Sequence, residues 1–563
     1  MIKKYFSTLK QHFDKWDNYA LLLWSFFVSA CNALYTGPDQ FWDNLNYHIY
    51  NAYAALNNRI EMDIIPNGIH AFYNPNADLW YYALVRGLNS YPHLVVLLQS
   101  IWFFLCLFFT LKILQSALPK RSFNFLSVLS TSLLFLYAPA IFAWGSMNTG
   151  DMFSCSFLIF SLYALFTALQ NDTKPHLAWL LVAGASYGIS FSLKYTASPF
   201  LLAYIVMFCF CFRSFWQWLK SGLWFTVAAV GTFLVTSGWW LYKMYIHFQN
   251  PFFPFLNSVF QSPYFAPVDL VDKRFFVGKA LWETLFIPFS LLRPYKMNII
   301  EGETRTYLYL AYILAILILG IYYYQHRHRK TIQTAFTKIW RPLMVFTLTG
   351  MVFWIAQFSL LRYAMPLEAV GSILITITLF LCIRGQRKML LIGFLVGIMS
   401  FSQITYKEIR GTAKHLFEMS YTQEGPIDSA TPFISGAPNI EDDAVVVLQG
   451  WRLSFIIPFL NPKAHYVGGL QPNIEDYDFP EERLDLLGYF SFSPVFFEHK
   501  FAPLIHQKIQ QASSVYVLMF TYTPELYKEQ PIKHYGVQVD PEKCTKIKNN
   551  WEGMMLLCKA KKI

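Results

Sequence analysis

The sequence predicts a mainly α-helical, polytopic membrane protein: a transmembrane helical bundle of about eleven spans followed by a small C-terminal extracytoplasmic α/β domain. Three observations carry this. Charged residues make up 14% of the 563, against roughly 25% in a soluble domain, while 55% are hydrophobic and 19% aromatic. The apolar residues gather in long uncharged runs, each close to the roughly 20 residues that cross a bilayer as a helix. From about Glu408 the composition changes to that of a soluble domain. The balance of 45 Lys and Arg against 34 Asp and Glu, +11 in all, needs no nucleic-acid partner, because basic residues beside spans orient membrane proteins.

The uncharged runs are Tyr19–Pro38, His93–Leu111, Ser122–Gly150, Met152–Asn171, Pro175–Leu193, Tyr195–Phe212, Ser221–Tyr242, Thr306–His326, Pro342–Leu361, Leu367–Ile383 with Glu368 near its start, and Met389–Tyr406. Ser122–Gly150 is read as one helix and a short loop, since roughly 25 residues is the upper limit for one crossing. Alternate connections are basic. One set holds Lys3, Lys4, Lys10 and Lys15, then Lys112, Lys120 and Arg121, then Arg213 and Lys220, then Arg327 to Arg341, then Arg384, Arg387 and Lys388. The other holds 39–92, with five acids against two bases up to Tyr91, the Trp144–Asp151 turn, the 243–305 loop, Arg362 and the tail. Basic connections face the cytoplasm, which puts the N-terminus inside and the tail outside, as in a multi-pass protein of a bacterial inner membrane. Val28-Ser29-Ala30-Cys31 after a basic start has the look of a lipoprotein signal, but a first anchor helix is the simpler account when many spans follow.

Residues 1–407 thus form the membrane module and 408–563 a soluble domain, in which Ala444–Leu448, Ala464–Val467, Ser514–Met519 and Met554–Cys558 read as strands. Cys544 and Cys558 are symmetric about Trp551, so a hairpin with its loop at Asn549–Gly553 would set them opposite each other, in position for a disulfide in an oxidising compartment. The other six cysteines read as apolar fillers. Neither the eight Cys nor the 13 His have metal-ligand spacing, so no cofactor is expected and a need for a divalent metal is left open.

Candidate chemistry lies on the non-cytoplasmic side. The segment Phe41-Trp42-Asp43-Asn44-Leu45-Asn46-Tyr47-His48 follows the first span, and on an α-helix Asn44 and His48 share one face and Asp43 and Tyr47 another. Asp43 reads equally well as an N-cap or as an active-site acid. Asn148-Thr149-Gly150-Asp151 ends in a second acid with the same two readings, and the two acids form a candidate pair for general-base work. Lys194 and Arg362 each end a span at the outer interface. Each alone could be a snorkelling anchor, yet outward-facing cations run against the topological bias and suit a phosphate. Asn250-Pro-Phe-Phe-Pro-Phe255 could lie on the membrane beside a lipid tail or belong to an aromatic belt.

These segments, Trp42-Asp43-x-x-x-Tyr47-His48, Leu193-Lys194-Tyr195, Asn250–Phe255 and Arg362-Tyr363-x-x-Pro366, resemble the multi-span glycosyltransferases of the GT-C class. The likeness is to the bacterial branch related to dolichyl-phosphate-mannose protein mannosyltransferases and the lipid A aminoarabinose transferase. It implies that the first-loop acid, here Asp43, is a catalytic base or acceptor ligand supported by a second-loop acid, here Asp151. A single Asp stands at 43 where protein mannosyltransferases carry an Asp-Glu pair, a departure that bears on the acceptor.

The expected function is sugar transfer, with inversion, from a polyprenyl-phosphate-linked donor to a hydroxyl of a glycan, lipid or protein acceptor outside the cytoplasm. Asp43, Asp151 and His48 would be catalytic, and Tyr47, Asn148, Lys194, Tyr195, Arg362 and Tyr363 would bind substrate. The partners are then the lipid-linked donor, its acceptor and membrane lipids. A transporter or flippase for a lipid-linked saccharide would use the same cations without a base, and a non-catalytic scaffold would use neither.

Overall fold

The computed structural model describes residues 18–265 (except 38, 40, 121, 171–174 and 213), 306–401 (except 384–387), 439–468 (except 451), 495–520 and 532–563 (except 550–554), with a few positions between these stretches. The Lys3–Lys15 segment, most of the loop from 266 to 305, Arg384, Arg387 and the change of composition near Glu408 lie outside the described residues.

The helices used below are α1 (Asn18–Thr36), α2 (Ile49–Leu56), α3 (Asp78–Gly87), α4 (Pro92–Ala117), α5 (Phe125–Leu136), α6 (Pro139–Trp144), α7 (Asp151–Ala168), α8 (Leu177–Leu193), α9 (Ser198–Cys211), α10 (Phe215–Phe248), α11 (Leu308–His326), α12 (Arg341–Gln357), α13 (Met365–Cys382) and α14 (Lys388–Phe401). Each uncharged run of the sequence falls on an apolar helix. Among the described residues, seven helices are long and apolar enough to cross a membrane, and four shorter apolar helices accompany them. α13 is the axis of the bundle, with 89% of its apolar window buried, whereas α10 has 17% buried and turns Leu223, Val227, Val230, Leu234 and Val235 outward, as a lipid-facing helix does.

Packing between spans depends on small residues, because lipid tails are as apolar as leucine and burial alone does not drive helices together. Gly184 and Gly188, one turn apart on α8, let the backbone of α10 approach so closely that a Cβ at either would collide with the carbonyl oxygen of Phe225 or Ala229. Serines bridge α7 to α8: Ser154 Oγ donates to Ser190 O at 2.9 Å and Ser161 Oγ to Ala183 O at 2.7 Å. Glu368, fully buried on the first turn of α13, accepts the N–H groups of Ala140 and Ile141 at 3.0 Å each and the Tyr309 hydroxyl at 3.2 Å. One acid in a span thus satisfies two of the free donors at the start of α6.

The C-terminal part is a six-stranded sheet of β1 (Ile434–Ser435), β2 (Val445–Leu448), β3 (His465–Val467), β4 (Val515–Phe520), β5 (Val537–Asn549) and β6 (Met555–Lys562), in the order β1-β5-β6-β4-β2-β3. Central β2 runs parallel to β3 and β4, and its Val445-Val446-Val447-Leu448 is buried throughout, as parallel strands covered on both faces are. The helix α15 (Val495–Gln511) lies between β3 and β4 in the chain, as a parallel crossover requires. The four strand readings coincide with β2, β3, β4 and β6. Cys544 and Cys558 are register partners of β5 and β6 and are joined by a disulfide.

This sheet is fastened to the first loop. Arg59 and Asp63, an ion pair with both side chains at most 1% exposed, sit where the chain leaves α2. Arg59 donates to the carbonyls of Pro462 and Ala464, and Asp63 accepts the Tyr466 N–H at 2.9 Å and the Tyr50 hydroxyl at 3.0 Å. Ile64 bridges Val467 in parallel, adding one more backbone rung at the β3 edge.

Removing the Glu368 carboxylate leaves two buried N–H groups without an acceptor, at about 1–3 kcal/mol each. Glu368→Leu should therefore lower the unfolding temperature of the solubilised protein clearly, and Glu368→Gln, which keeps one acceptor oxygen, should lower it less. Equal stability of Glu368→Leu and wild type in a thermal melt would contradict the capping role.

Candidate active site

The chain after α1 does not enter an ordinary α-helix. Trp42 and Asp43 are helical, Asn44–His48 form a π-helical turn, and α2 continues from Ile49. The α-helical spacing expected from the sequence is thereby altered, since a π-turn pairs residues five apart and such turns are frequent at functional sites. Asp43 makes no capping bond. Its Oδ2 instead accepts from Arg362 Nη1 at 2.6 Å, joining residues 319 apart in the chain.

Asp151 opens α7, and Gly150 supplies the turn before it. Its φ of +74° lies in the left-handed region, and a Cβ would press on Ala77. Asp151 is the first residue of α7 and not its N-cap, which is Gly150; its Oδ2 lies 2.9 Å from Lys194 Nζ and 3.9 Å from Arg362 Nε. Lys194 also donates to the Thr149 carbonyl. The Tyr363 ring lies 5.5 Å from Lys194 Nζ and 5.3 Å from the Arg362 guanidinium, a cation–π contact to each. Asp43, Arg362, Asp151 and Lys194 therefore form one buried chain of alternating charge, with side-chain exposures of 9, 8, 3 and 16%.

Asp39 holds the two acid-bearing loops together. Its carboxylate accepts the N–H of Phe41 at 2.8 Å and that of Asn148 at 2.7 Å, while Asn148 Nδ2 donates to Asn44 Oδ1 at 3.2 Å. Burial lifts the Asp39 carboxyl to about 6 in spite of these two N–H groups. At Asp43 burial also pushes upward, but the charge of Arg362 above all, with that of Lys194 behind it, reverses the effect and brings the carboxyl down to about 2.

Of the residues singled out in the sequence, Asp43, Asp151, Lys194, Arg362 and Tyr363 come together directly, and Asn148 joins them through Asp39. Tyr47 and His48 adjoin this group, both within reach of the Asp43 charge. Tyr47 stacks on His70 with ring centres 5.1 Å apart, and His48 Nδ1 is 2.6 Å from Asp78 Oδ1. Tyr195 turns away, its ring on Phe191 and Phe252 and its hydroxyl accepting from Asn74. In the Asn250–Phe255 segment, read as lying on the membrane or in an aromatic belt, Phe253 turns inward and is buried against Phe72 and Phe248, and Phe255 stacks on Tyr73. Asp39, Asp78 and His70 were not singled out, although Asp39 and Asp78 are among the five acids of the first loop.

A small cavity is lined by Asp151, Arg362, Tyr363 and Ser154 together with Leu158 and Phe200.

Residues 80–242 match the model of the family described as dolichyl-phosphate-mannose-protein mannosyltransferase. Among solved structures the chain resembles apo ArnT from Cupriavidus metallidurans, with a TM-score of 0.50 and 13% identity over 96% of this chain and 97% of that one. The same ArnT bound to undecaprenyl phosphate matches at a TM-score of 0.43 with 15% identity, covering 71% of this chain and 69% of the other. No curated protein sequence matches. The chain is thus similar to the dolichyl-phosphate-mannose-protein mannosyltransferases over residues 80–242, and its polytopic fold is that of ArnT.

Breaking a buried ion pair from one side typically costs about 3–5 kcal/mol. Asp43→Asn should destabilise the protein by an amount of that order, and adding Arg362→Gln should recover part of it. The folded Asp43 carboxyl, at about 2, lies below its ordinary 3.8, so its contribution is complete above about pH 4 and is lost as the pH falls through about 2. Wild type should lose more stability than Asp43→Asn between those pH values. Parallel acid titrations of the two that stay parallel would contradict the pairing.

Proposed function

We propose that this protein is a glycosyltransferase that moves a sugar from a polyprenyl-phosphate-linked donor to an acceptor hydroxyl on the extracytoplasmic face, with inversion at the anomeric carbon. The observation that carries the proposal is the pair of acid–cation contacts, Asp43–Arg362 and Asp151–Lys194, set side by side and largely withdrawn from water, with a small cavity beside Asp151 and Arg362. A polyprenyl phosphate brings the complementary charge, an anionic head that two neighbouring cations can take.

In this reading the donor phosphate takes Arg362 and Lys194 as its partners. These cations gain most as the carbon–oxygen bond breaks, because the departing phosphate acquires a second negative charge in a site with little water. Drawing Arg362 toward phosphate also removes the charge that holds the Asp43 carboxyl near about 2. Asp43 becomes more basic when a donor is present, and it then receives the proton of the acceptor hydroxyl. Asp151 keeps Lys194 in place, and Tyr363 flanks both cations. The cations carry the electrostatic load, so no step is assigned to a metal. The membrane module is 1–407 and the soluble domain 408–563. The tail and the Asp43 loop lie on the same side, outside an inner membrane, with the N-terminus in the cytoplasm, and the acceptor is a glycan, a lipid or a protein.

Mass spectrometry of envelope glycans and lipids from cells with and without the protein should reveal one glycosylated species that depends on it. Asp43→Asn should lower its formation by about 10²–10⁴-fold while the protein still binds undecaprenyl phosphate. Lys194→Gln/Arg362→Gln should weaken that binding, and unaltered affinity in the folded double variant would sink the donor assignment. Cysteines placed at Asn57 and Gln507, both exposed, should react together with a membrane-impermeant reagent in intact, outer-membrane-permeabilised cells. Labelling of only one would refute the shared side.

A further inference from the structure

One buried pair has no part in the scheme above. His48 is the last residue of the π-turn, and its Nδ1 lies 2.6 Å from Oδ1 of Asp78, on the first turn of α3, with the two side chains 6% and 2% exposed. A carboxylate at that distance accepts Nδ1–H, which fixes the tautomer and leaves the lone pair on Nε2. Nε2 is itself buried and meets no hydrogen-bond partner among the described residues. A histidine used only for packing would leave an acceptor unsatisfied inside the protein, whereas an imidazole with an acid behind it and an open nitrogen in front is arranged to take a proton. The π-turn also places His48 near Asp43. On an α-helix residues five apart look in different directions, but π-type pairing closes five residues into one turn.

We propose that His48, held by Asp78, is the final acceptor of the proton that leaves the acceptor hydroxyl, received by way of Asp43; this rests on the glycosyl-transfer reading above. The hydroxyl O–H bond breaks and its oxygen bonds to the anomeric carbon. The bond from that carbon to the phosphate oxygen breaks, and its electron pair stays on the phosphate. The proton passes from the Asp43 carboxylate to Nε2, leaving an imidazolium paired with Asp78. His48 is then a catalytic residue and Asp78 a positioning residue.

Several charges and rings surround the imidazole. Asp78 acts on it from α3 and Asp39 and Asp43 from the first loop, and the Tyr47 ring lies 4.2 Å away with His70 beyond it; Lys194, at the end of α8, acts on Asp43 and Asp78. The carboxylates favour the imidazolium, and Asp78→Asn removes the one in direct contact with it.

The test is the pH dependence of transfer in membranes that contain the full chain and their own lipid-linked sugars, scored on the envelope species that depends on the protein. Undecaprenyl phosphate binding is measured in parallel. The wild-type rate should fall on the acid side along a one-proton limb. His48→Gln should lose about 10²–10⁴-fold and the limb itself, with undecaprenyl phosphate affinity unchanged. Asp78→Asn should shift the limb to lower pH and slow the reaction, and Asp78→Glu should restore part of the rate. A folded His48→Gln that keeps rate and limb overturns the proposal. Should His48→Gln fail to accumulate, an unmoved limb in Asp78→Asn overturns it equally. Wild-type membranes that make no such species overturn the glycosyl-transfer reading itself, and this proposal with it.

Discussion

Four charged side chains leave water together at one end of the bundle, and they can do so only as neighbours. A carboxylate or a guanidinium buried alone would cost several kcal/mol, so the Asp43, Arg362, Asp151 and Lys194 set demands a backbone that delivers two acids and two cations to one place from four separate stretches of chain. The features around it serve that delivery. Gly150 turns sharply enough to start α7 under Lys194, Asp39 ties the first loop to the second through the Asn148 N–H, and Glu368 fixes α6 against the helix that follows Arg362. These ties do not touch the cavity themselves, and each sets the position of a group that does.

The C-terminal sheet belongs to the same construction. Arg59 and Asp63 connect the segment beyond the π-turn to β3, and the Asn46 side chain accepts the Arg452 N–H at 3.3 Å. The Ser454 hydroxyl donates to the Asn46 carbonyl from the same side. Asn46 lies between Asp43 and His48, so backbone from the soluble part contacts the turn that presents both. The sheet acts as a wall behind that turn.

Much of this is legible in the sequence because the bilayer allows so few solutions. Uncharged runs near 20 residues leave helix as the only backbone choice, and the apolar helices follow those runs. The strands around Val445, Tyr466 and Val517 and the opposition of Cys544 to Cys558 follow from local alternation and symmetry. Asp43, Asp151, Lys194 and Arg362 stand out because they are charges at span ends on the side where topology does not require them. What the sequence conceals is of two kinds. The π-turn changes which residues share a face, and no residue pattern marks it. Asp39, Asp78 and His70 matter through partners 109, 30 and 19 residues away or more, so they read as ordinary loop residues until the chain is folded. Phe253 is concealed in the same way: its proline-flanked aromatic run reads as a membrane-side segment or an aromatic belt, and nothing local marks this ring for packing against Phe248 and Phe72.

The 319-residue separation between Asp43 and Arg362 has a consequence for biogenesis. A ribosome delivers the chain N-terminus first, so Asp43 emerges long before its cation is made. Lys194 arrives second and can satisfy Asp151, but the first acid stays unmatched until α12 and the turn after it have been inserted. The site is therefore complete only when the turn after α12 has been made, and a chain that stops before Arg362 lacks the cation in direct contact with its first acid.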